Sequence, residues 1–145
     1  MRTWEGSRPL AAARARMSAA NACRSLELTW YSAPGWSPSA GPVPLVAFDA
    51  PCALRSRALD TLAAQDLPAE VSCEAAHLAG VQAAVRAGLG VGLMATLGEH
   101  PDGLVPRDDL PPPAPLELSV RSRRGITREL VEGAVASLAP LPAAA

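Results

Sequence analysis

Apolar residues recur along the centre of the chain at two spacings, one typical of strands and the other of helices. In the segment Leu26–Ser32, alternate residues are apolar, which predicts a strand with one buried face. Short apolar runs further along the chain predict buried strands. These runs are Val43–Phe48, Glu70–Cys73, Val91–Met94 and Leu116–Val120.

Three stretches repeat apolar residues every three or four positions, which predicts helices over about Ala53–Ala64, His77–Ala87 and Ile126–Leu138. Gly88 and Gly90 can adopt backbone conformations with positive φ, so the chain can end the second helix there. We expect each helix to turn one apolar face inward. These faces comprise Leu54, Ala58, Leu59 and Leu62 in the first helix, Leu78, Val81, Val85 and Leu89 in and just after the second, and Leu130, Val131, Ala134, Val135 and Leu138 in the third.

The order strand, helix, strand, helix, strand between residues 43 and 96 predicts parallel crossovers. The expected fold class is therefore α/β, with an open, mainly parallel sheet and flanking helices. Ligands of such sheets bind at the carboxyl ends of the strands. Three predicted loops lie there: Asp49–Cys52, Ser72–Ala75 and Ala95–Leu97. The helices that start after the first two loops would favour a small anion by about 0.3–1 kcal/mol each.

The composition argues against two classes of protein, those that bind nucleic acid through a basic surface and those that span a membrane. The chain has 145 residues, which suits one domain or part of a two-lobed one, and only 3% of its residues are aromatic, so the core must consist of Ala, Val and Leu. All 13 basic residues are Arg, yet the net charge is -1, which argues against a generally basic, nucleic-acid-binding surface. A membrane-spanning helix is excluded because no apolar run reaches 18 residues.

The two ends and the cysteines carry less information. We expect residues 1–25 to be an irregular Arg/Ala-rich leader, although its arginines also resemble those of a transit peptide. Residues 139–145 are expected to be a frayed tail. The cysteines are three and form no CxxC pair, so a disulfide framework or zinc site is not expected, and a cytoplasmic location fits best.

Several segments in this order resemble the effector-binding domain of LysR-type transcriptional regulators. They are the strand PLVAF at Pro44–Phe48, the helix RSRALDTLAA, the strand EVSCE, the segment AHLAGVQAAVRAGLGVGLMATLG, and a Pro-rich return to the strand LELSVR. The resemblance implies a partial effector-binding domain over residues 26–138, similar to periplasmic solute-binding proteins. Residues 43–96 would be its second lobe, and residues 97–138 would return to a remnant of the first lobe.

The resemblance also implies a function. An intact relative would sense a small metabolite, expected here to be anionic, and convert lobe closure into altered transcription. Residues 1–25 lack the pattern of a helix-turn-helix, so we expect DNA contact only through such a domain elsewhere, in a homodimer or a full-length regulator partner. The exposed side of helix 77–87, with Gln82 and Arg86, is the expected dimer surface. The alternative is a stand-alone small-molecule-binding module without DNA binding.

The resemblance places several candidate effector-binding residues in the predicted loops. They are Ala50, Pro51, Cys52, Ser72, Cys73, Glu74 and Thr96. Ser72 could contact the effector through its hydroxyl, or Ser72 and Glu74 could simply cap the next helix. Cys52 and Cys73 could be redox-active or merely small buried residues. His77 and His100 lack a reliable third metal ligand, and no nucleophile–base pair is visible, so neither a metal, a cofactor nor an enzyme activity is expected.

Overall fold

The structure is a computed structural model that describes residues 21–96 and 98–137. The described residues form two compact units, one of residues 26–116 and one that holds residues 21–25 and 117–137. In chain order the strands are β1 Asn21–Leu26, β2 Leu28–Ser32, β3 Val43–Phe48, β4 Ala69–Ala75, β5 Val91–Ala95, β6 Val105–Pro106 and β7 Leu116–Val120. The helices are α1 Ala53–Ala63, α2 Leu78–Arg86 and α3 Arg128–Ser137.

The larger unit is an open five-stranded sheet in the order β4-β3-β5-β2-β6. Strand β3 is parallel to both β4 and β5, so α1 and α2 are the helices of two parallel crossovers, as predicted. Strand β2 is antiparallel to β5 and to β6. The predicted α/β class with flanking helices is confirmed, and the sheet is mixed at its β2–β6 side.

Apolar side chains cover both faces of this sheet. On one face, Trp30 of β2 and Leu45 of β3 pack with Leu62 of α1. On the other face, Tyr31 and Val46 pack with Val85 of α2. The central strands are therefore buried on both sides, which explains their nearly continuous apolar sequences. Strand β4 lies at the edge, where its residues alternate between half-buried and exposed.

The predicted inner face of α1 is confirmed, but that of α2 is only half right. Val81 and Val85 are fully buried, whereas Leu78 is 47% and Leu89 is 49% exposed. Leu89 lies beyond the end of the helix, so helical spacing does not determine where it points. Leu78 is the first residue of α2 and borders an open cavity. Ala84 is the third buried residue of the helix instead.

The smaller unit contains a two-stranded sheet of β1 and β7, together with α3. The predicted strand Leu26–Ser32 is thus divided at Glu27, and residues 21–25 belong to β1 rather than to an irregular leader. The inward face predicted for the third helix is wrong: α3 buries none of its described residues, and Leu130 is 66% exposed. Two strands offer too little surface to bury an apolar helix stripe. Leu138 and the predicted tail lie outside the described residues.

The Pro-rich connector, residues 108–115, is held in place by polar contacts instead of regular structure. The indole Nε1 of Trp30 donates a hydrogen bond to the carbonyl of Pro111 at 2.8 Å, and Arg57 Nη1 donates to the carbonyl of Ala114 at 2.6 Å. Arg107 lies 5.2 Å from the centre of the Trp36 ring and donates to the Trp36 carbonyl. Trp30 and Arg57 thus satisfy carbonyls in a segment whose prolines cannot donate a backbone hydrogen bond to a sheet, and Arg107 fixes the residue just before it.

The ion pair between Arg107 and Asp109 at the start of this connector gives a pH-dependent prediction. The hydrogen bond from Arg107 Nε, 2.8 Å long, lowers the pKa of Asp109. This stabilisation is present above the unfolded pKa of about 3.9 and is lost as pH falls through the lower folded pKa. Because both groups meet solvent, we expect less than about 1 kcal/mol. Urea unfolding of wild type and Asp109→Asn should therefore differ at pH 7 and converge as pH falls below the lowered folded pKa of Asp109; an unchanged difference would contradict this.

Within the described ranges, no helix combines the length and the apolar character needed to cross a membrane.

Candidate functional site

A cavity of about 500 Å³ lies at the carboxyl ends of β3 and β5, within the larger unit. Phe48 ends β3 and Ala95 ends β5, and both line it. This volume is in the ordinary range for sites that hold small molecules, about 300–1,000 Å³. Its apolar lining residues are Phe48, Leu54, Leu78, Met94, Ala95 and Pro101, and its polar lining residues are Gln82, Arg86, Glu99 and Asp102.

Helix α2 forms one wall of the cavity because of its spacing. Leu78, Gln82 and Arg86 are four residues apart, so they lie along a single face of the helix. Val81 and Val85 occupy a neighbouring face and are fully buried against the sheet. The buried face therefore fixes the orientation of α2 and directs the second face to the cavity.

The segment 98–104, which follows β5, forms a neighbouring part of the wall and is bound to the unit at several points. The buried hydroxyl of Tyr31 is hydrogen-bonded to Nδ1 of His100 at 2.8 Å, and their rings meet edge to face. Arg86 Nε donates to the backbone carbonyl of Asp102 at 2.7 Å. Leu104 is buried in the core under α2. These contacts position Glu99, Pro101 and Asp102 beside the cavity.

An ion pair joins the ends of β3 and β4 to the start of α1. Arg55 Nη1 lies 2.7 Å from Glu74 Oε1 and also donates to the carbonyl of Phe48. The Glu74 side chain is half exposed, so the pair contributes at most about 1 kcal/mol. It holds the first turn of α1 against the strand end that borders the cavity.

The structure places the first three predicted site residues in the turn between β3 and α1. Ala50 and Pro51 are exposed and are joined by a cis peptide bond, and Cys52 is half-buried. Cys52 occupies the position just before α1, and its carbonyl accepts the amide of Ser56 at 3.0 Å. These residues adjoin Leu54, which lines the cavity, without lining it themselves.

Ser72, Cys73 and Glu74 lie within β4 and not in a loop after it. The register skips Ser72, because Val71 pairs with Leu45 and Cys73 with Val46, so Ser72 is a bulge residue. The Ser72 hydroxyl lies 2.7 Å from the carbonyl of Leu89 and 3.3 Å from that of Leu45, where it can donate to one of them at a time. Effector contact by Ser72 stays a prediction, but its hydroxyl is engaged within the fold.

Thr96 lies directly after β5, as predicted, and its polar groups also have partners. Its amide donates to the carbonyl of Glu27 at 2.8 Å, and its hydroxyl is hydrogen-bonded to that of Thr29. None of the predicted site residues is among those that line the large cavity. The four polar lining residues were missed as ligand contacts, although the repeat of Leu78, Gln82 and Arg86 was readable as one helix face.

The structure also shows the surroundings of Cys52, Cys73 and His77, which the sequence singled out for metal or thiol chemistry. Residues 21–96 and 98–137 bring no three His, Cys, Asp or Glu side chains together as metal ligands. Cys52 and Cys73 are half-buried thiols that form no disulfide. His77 precedes α2 without capping it through its side chain. The redox role of the two cysteines therefore stays an untested alternative.

An open α/β sheet with a cavity at the carboxyl ends of its parallel strands is typical of domains that bind small molecules. The chain belongs to the LysR substrate binding domain family, whose match covers residues 18–138. The resemblance stated from the sequence is thereby confirmed.

Solved structures show the same fold. HinK, a LysR family transcriptional regulator from Pseudomonas aeruginosa, matches with a TM-score of 0.65 and 12% identity over 87% of this chain and 50% of its own. The regulatory domain of CcmR from Synechocystis PCC6803 matches with a TM-score of 0.61 and 11% identity over 88% and 69%. The C-terminal domain of a probable LysR family regulator from Rhodococcus sp. RHA1 matches with a TM-score of 0.58 and 20% identity over 83% and 65%. The chain thus spans half the length of HinK. No curated protein sequence matches this chain.

Proposed function

We propose that this chain is an effector-binding part of a LysR-type transcriptional regulator and that its effector occupies the cavity between α2 and segment 98–104. The observation that carries the proposal is the position of this cavity at the carboxyl ends of β3 and β5, in a chain of this family. Two structural relatives hold small molecules: the CcmR regulatory domain is in complex with 2-PG, and the effector binding domain of QuiR with shikimate. We place the protein in the cytoplasm.

The domain assignment is part of the same proposal. Residues 43–96 correspond to the second lobe of the effector-binding domain, and residues 97–138 lead back toward the first lobe. The division of the chain near Leu116 supports a change of unit at β7. The family match begins at residue 18, ahead of the boundary at 26 expected from the sequence.

The cavity supports an effector that carries an acidic group. Arg86 supplies a guanidinium to the wall, and its Nε–H is already directed to the Asp102 carbonyl, which holds the side chain in place. A guanidinium with further N–H donors is well suited to bind a carboxylate or phosphate. The apolar residues of the lining would bury the remainder of the molecule.

Signalling then requires that the effector bind one conformation more tightly than another, since equal affinity would shift no equilibrium. We propose that the intact regulator acts as a homodimer, or with a full-length regulator partner, and contacts DNA only through a helix-turn-helix domain. The family and its solved relatives are transcription regulators.

Ligand-dependent thermal stability tests the proposed site. We expect at least one acid in a panel of small carboxylic and phosphorylated acids, including shikimate and 2-PG, to raise the melting temperature of the full chain. Saturation at about 100 times Kd adds about 2.7 kcal/mol. Arg86→Ala should abolish the rise and Arg86→Lys should restore part of it, because a lysine keeps the charge but loses the guanidinium fork.

Arg128→Ala is the matched control for Arg86→Ala. Arg128 lies on α3, where it pairs with Glu132 of the same exposed helix, and it is not one of the residues that line the cavity. It should respond to the same acid as wild type. Failure of every acid, amino acids included, to stabilise the wild-type chain, or full binding by Arg86→Ala, would refute the proposed site.

A further inference from the structure

The charges around the cavity have both signs. Its lining residues include one arginine, Arg86, and two acidic residues, Glu99 and Asp102. Among the described residues, neither carboxylate forms an ion pair with Arg86, which instead bonds to the Asp102 backbone and, at 3.5 Å, to Gln82 Oε1. A purely anionic ligand would gain from Arg86 and be repelled by the carboxylates, since like charges that face each other cost energy.

The positive and negative parts of this wall are adjacent. The 2.7 Å bond from Arg86 Nε to the Asp102 carbonyl holds the guanidinium next to the residue that carries a carboxylate. A ligand that matches this wall therefore needs a negative group for Arg86 and, close to it, a positive group for the acidic residues. An α-amino acid carries its carboxylate and its ammonium on a single carbon atom, and so satisfies that condition.

The rest of the lining indicates the side chain of such a ligand. Six of the ten lining residues are apolar, and one of them, Met94, is only 2% exposed. Methionine adapts its shape to varied apolar partners. Phe48 and Leu54 add further apolar surface from β3 and α1. A large apolar side chain would therefore be removed from water here, and a charged one would not.

Resting on the proposed function, we infer that the effector of this site is a zwitterionic α-amino acid with a large apolar side chain. Its carboxylate meets Arg86, its ammonium meets Glu99 and Asp102, and its side chain lies against Phe48, Leu54 and Met94. The ammonium group goes beyond the proposed function, because it distinguishes this ligand class from the simple acids that Arg86 alone would select.

Calorimetric titration of the full chain tests this inference. The probes are L-leucine, L-methionine and L-phenylalanine, each compared with the same molecule lacking its ammonium group and with the amine lacking its carboxylate. We expect at least one amino acid to bind about tenfold more tightly than either truncated form, which corresponds to about 1.4 kcal/mol for each charge. The double variant Glu99→Gln/Asp102→Asn should reduce the advantage over the ammonium-free acid to less than about threefold.

The double variant Asp60→Asn/Glu70→Gln is the matched control. It makes the same change in net charge at two exposed positions outside the cavity and should keep the wild-type preference. The Asp102 backbone carbonyl remains in Asp102→Asn, so its bond to Arg86 is retained.

The outcomes separate the two proposals. Binding of simple acids as tight as that of every amino acid, or no binding of any amino acid, overturns the zwitterion inference even where acids from the first panel stabilise the chain through Arg86. A preference for the amino acid that survives Glu99→Gln/Asp102→Asn overturns it as well. If neither panel yields a ligand, the proposed function fails together with the inference.

Discussion

Replacing Gly90 by alanine is expected to destabilise the larger unit more than the same replacement at any other described glycine of that unit. A Cβ atom at Gly90 would lie 2.3 Å from the carbonyl oxygen of Pro44 and 2.8 Å from its carbon, and both belong to the backbone of β3. Gly90 also has a φ of +157°, in a region that side chains disfavour. Strain and overlap together should cost about 3 kcal/mol or more, a large share of the 5–15 kcal/mol typical of a domain.

Gly88→Ala is the matched control for Gly90→Ala. Gly88 has a φ of +80°, but an added Cβ would meet no atom within 4 Å. Only backbone strain remains, at about 1–2 kcal/mol. Urea unfolding followed by circular dichroism should rank wild type above Gly88→Ala and Gly88→Ala above Gly90→Ala. Equal midpoints for the two variants would show that the overlap between the added Cβ and the Pro44 backbone does not lower the stability.

Replacing Trp30 by alanine should cost about 3–5 kcal/mol. Trp30 is 1% exposed, packs among Leu45, Leu62 and Leu93, and donates its indole N–H to the carbonyl of Pro111 at 2.8 Å. The change removes the largest side chain of that core and leaves a cavity that close-packed neighbours cannot fill. The urea midpoint should fall while the slope of the transition stays similar, as expected for a cooperative unit.

Two further variants divide the effect of Trp30→Ala into its parts. Trp30→Phe keeps a ring in the core but removes the indole donor, so we expect a loss of about 1–3 kcal/mol from the unpaired Pro111 carbonyl. Leu130→Ala, at a 66% exposed position of α3, should change stability by less than about 0.5 kcal/mol. If Trp30→Ala were as mild as Leu130→Ala, Trp30 would not be a core residue.

Much of the fold was predictable because periodicity reports which residues are buried. Helix α1 shows its four predicted inner residues against the sheet, and the crossovers through α1 and α2 are parallel as predicted. The same reasoning was wrong for α3 and for Leu78 and Leu89. An apolar stripe is buried only where another element covers it, and neither the end of α2 nor the two-stranded sheet provides that cover.

The candidate site was much less predictable than the fold. Loop position led to Ser72 and Thr96, whose hydroxyls are engaged by Leu89 and Thr29. The polar cavity residues Glu99 and Asp102 come from an irregular segment, whose path depends on the bonds of Tyr31 to His100 and of Arg86 to Asp102. The first of these bonds joins residues 69 positions apart and the second joins residues 16 positions apart, so no local sequence pattern predicts them.

The sequence by itself determined the α/β class and the two parallel crossovers, because local apolar spacing and glycine positions select those elements wherever they lie in the chain. The family was recognisable from the sequence through the resemblance of several segments in the same order. Only the tertiary structure decided that β2 and β6 run antiparallel to their neighbours, that Ser72 is a bulge, and that Arg86, Glu99 and Asp102 meet at one cavity. These features arise from hydrogen bonds and packing between segments that are distant in the sequence. Which segments contact each other is decided only when the whole unit folds.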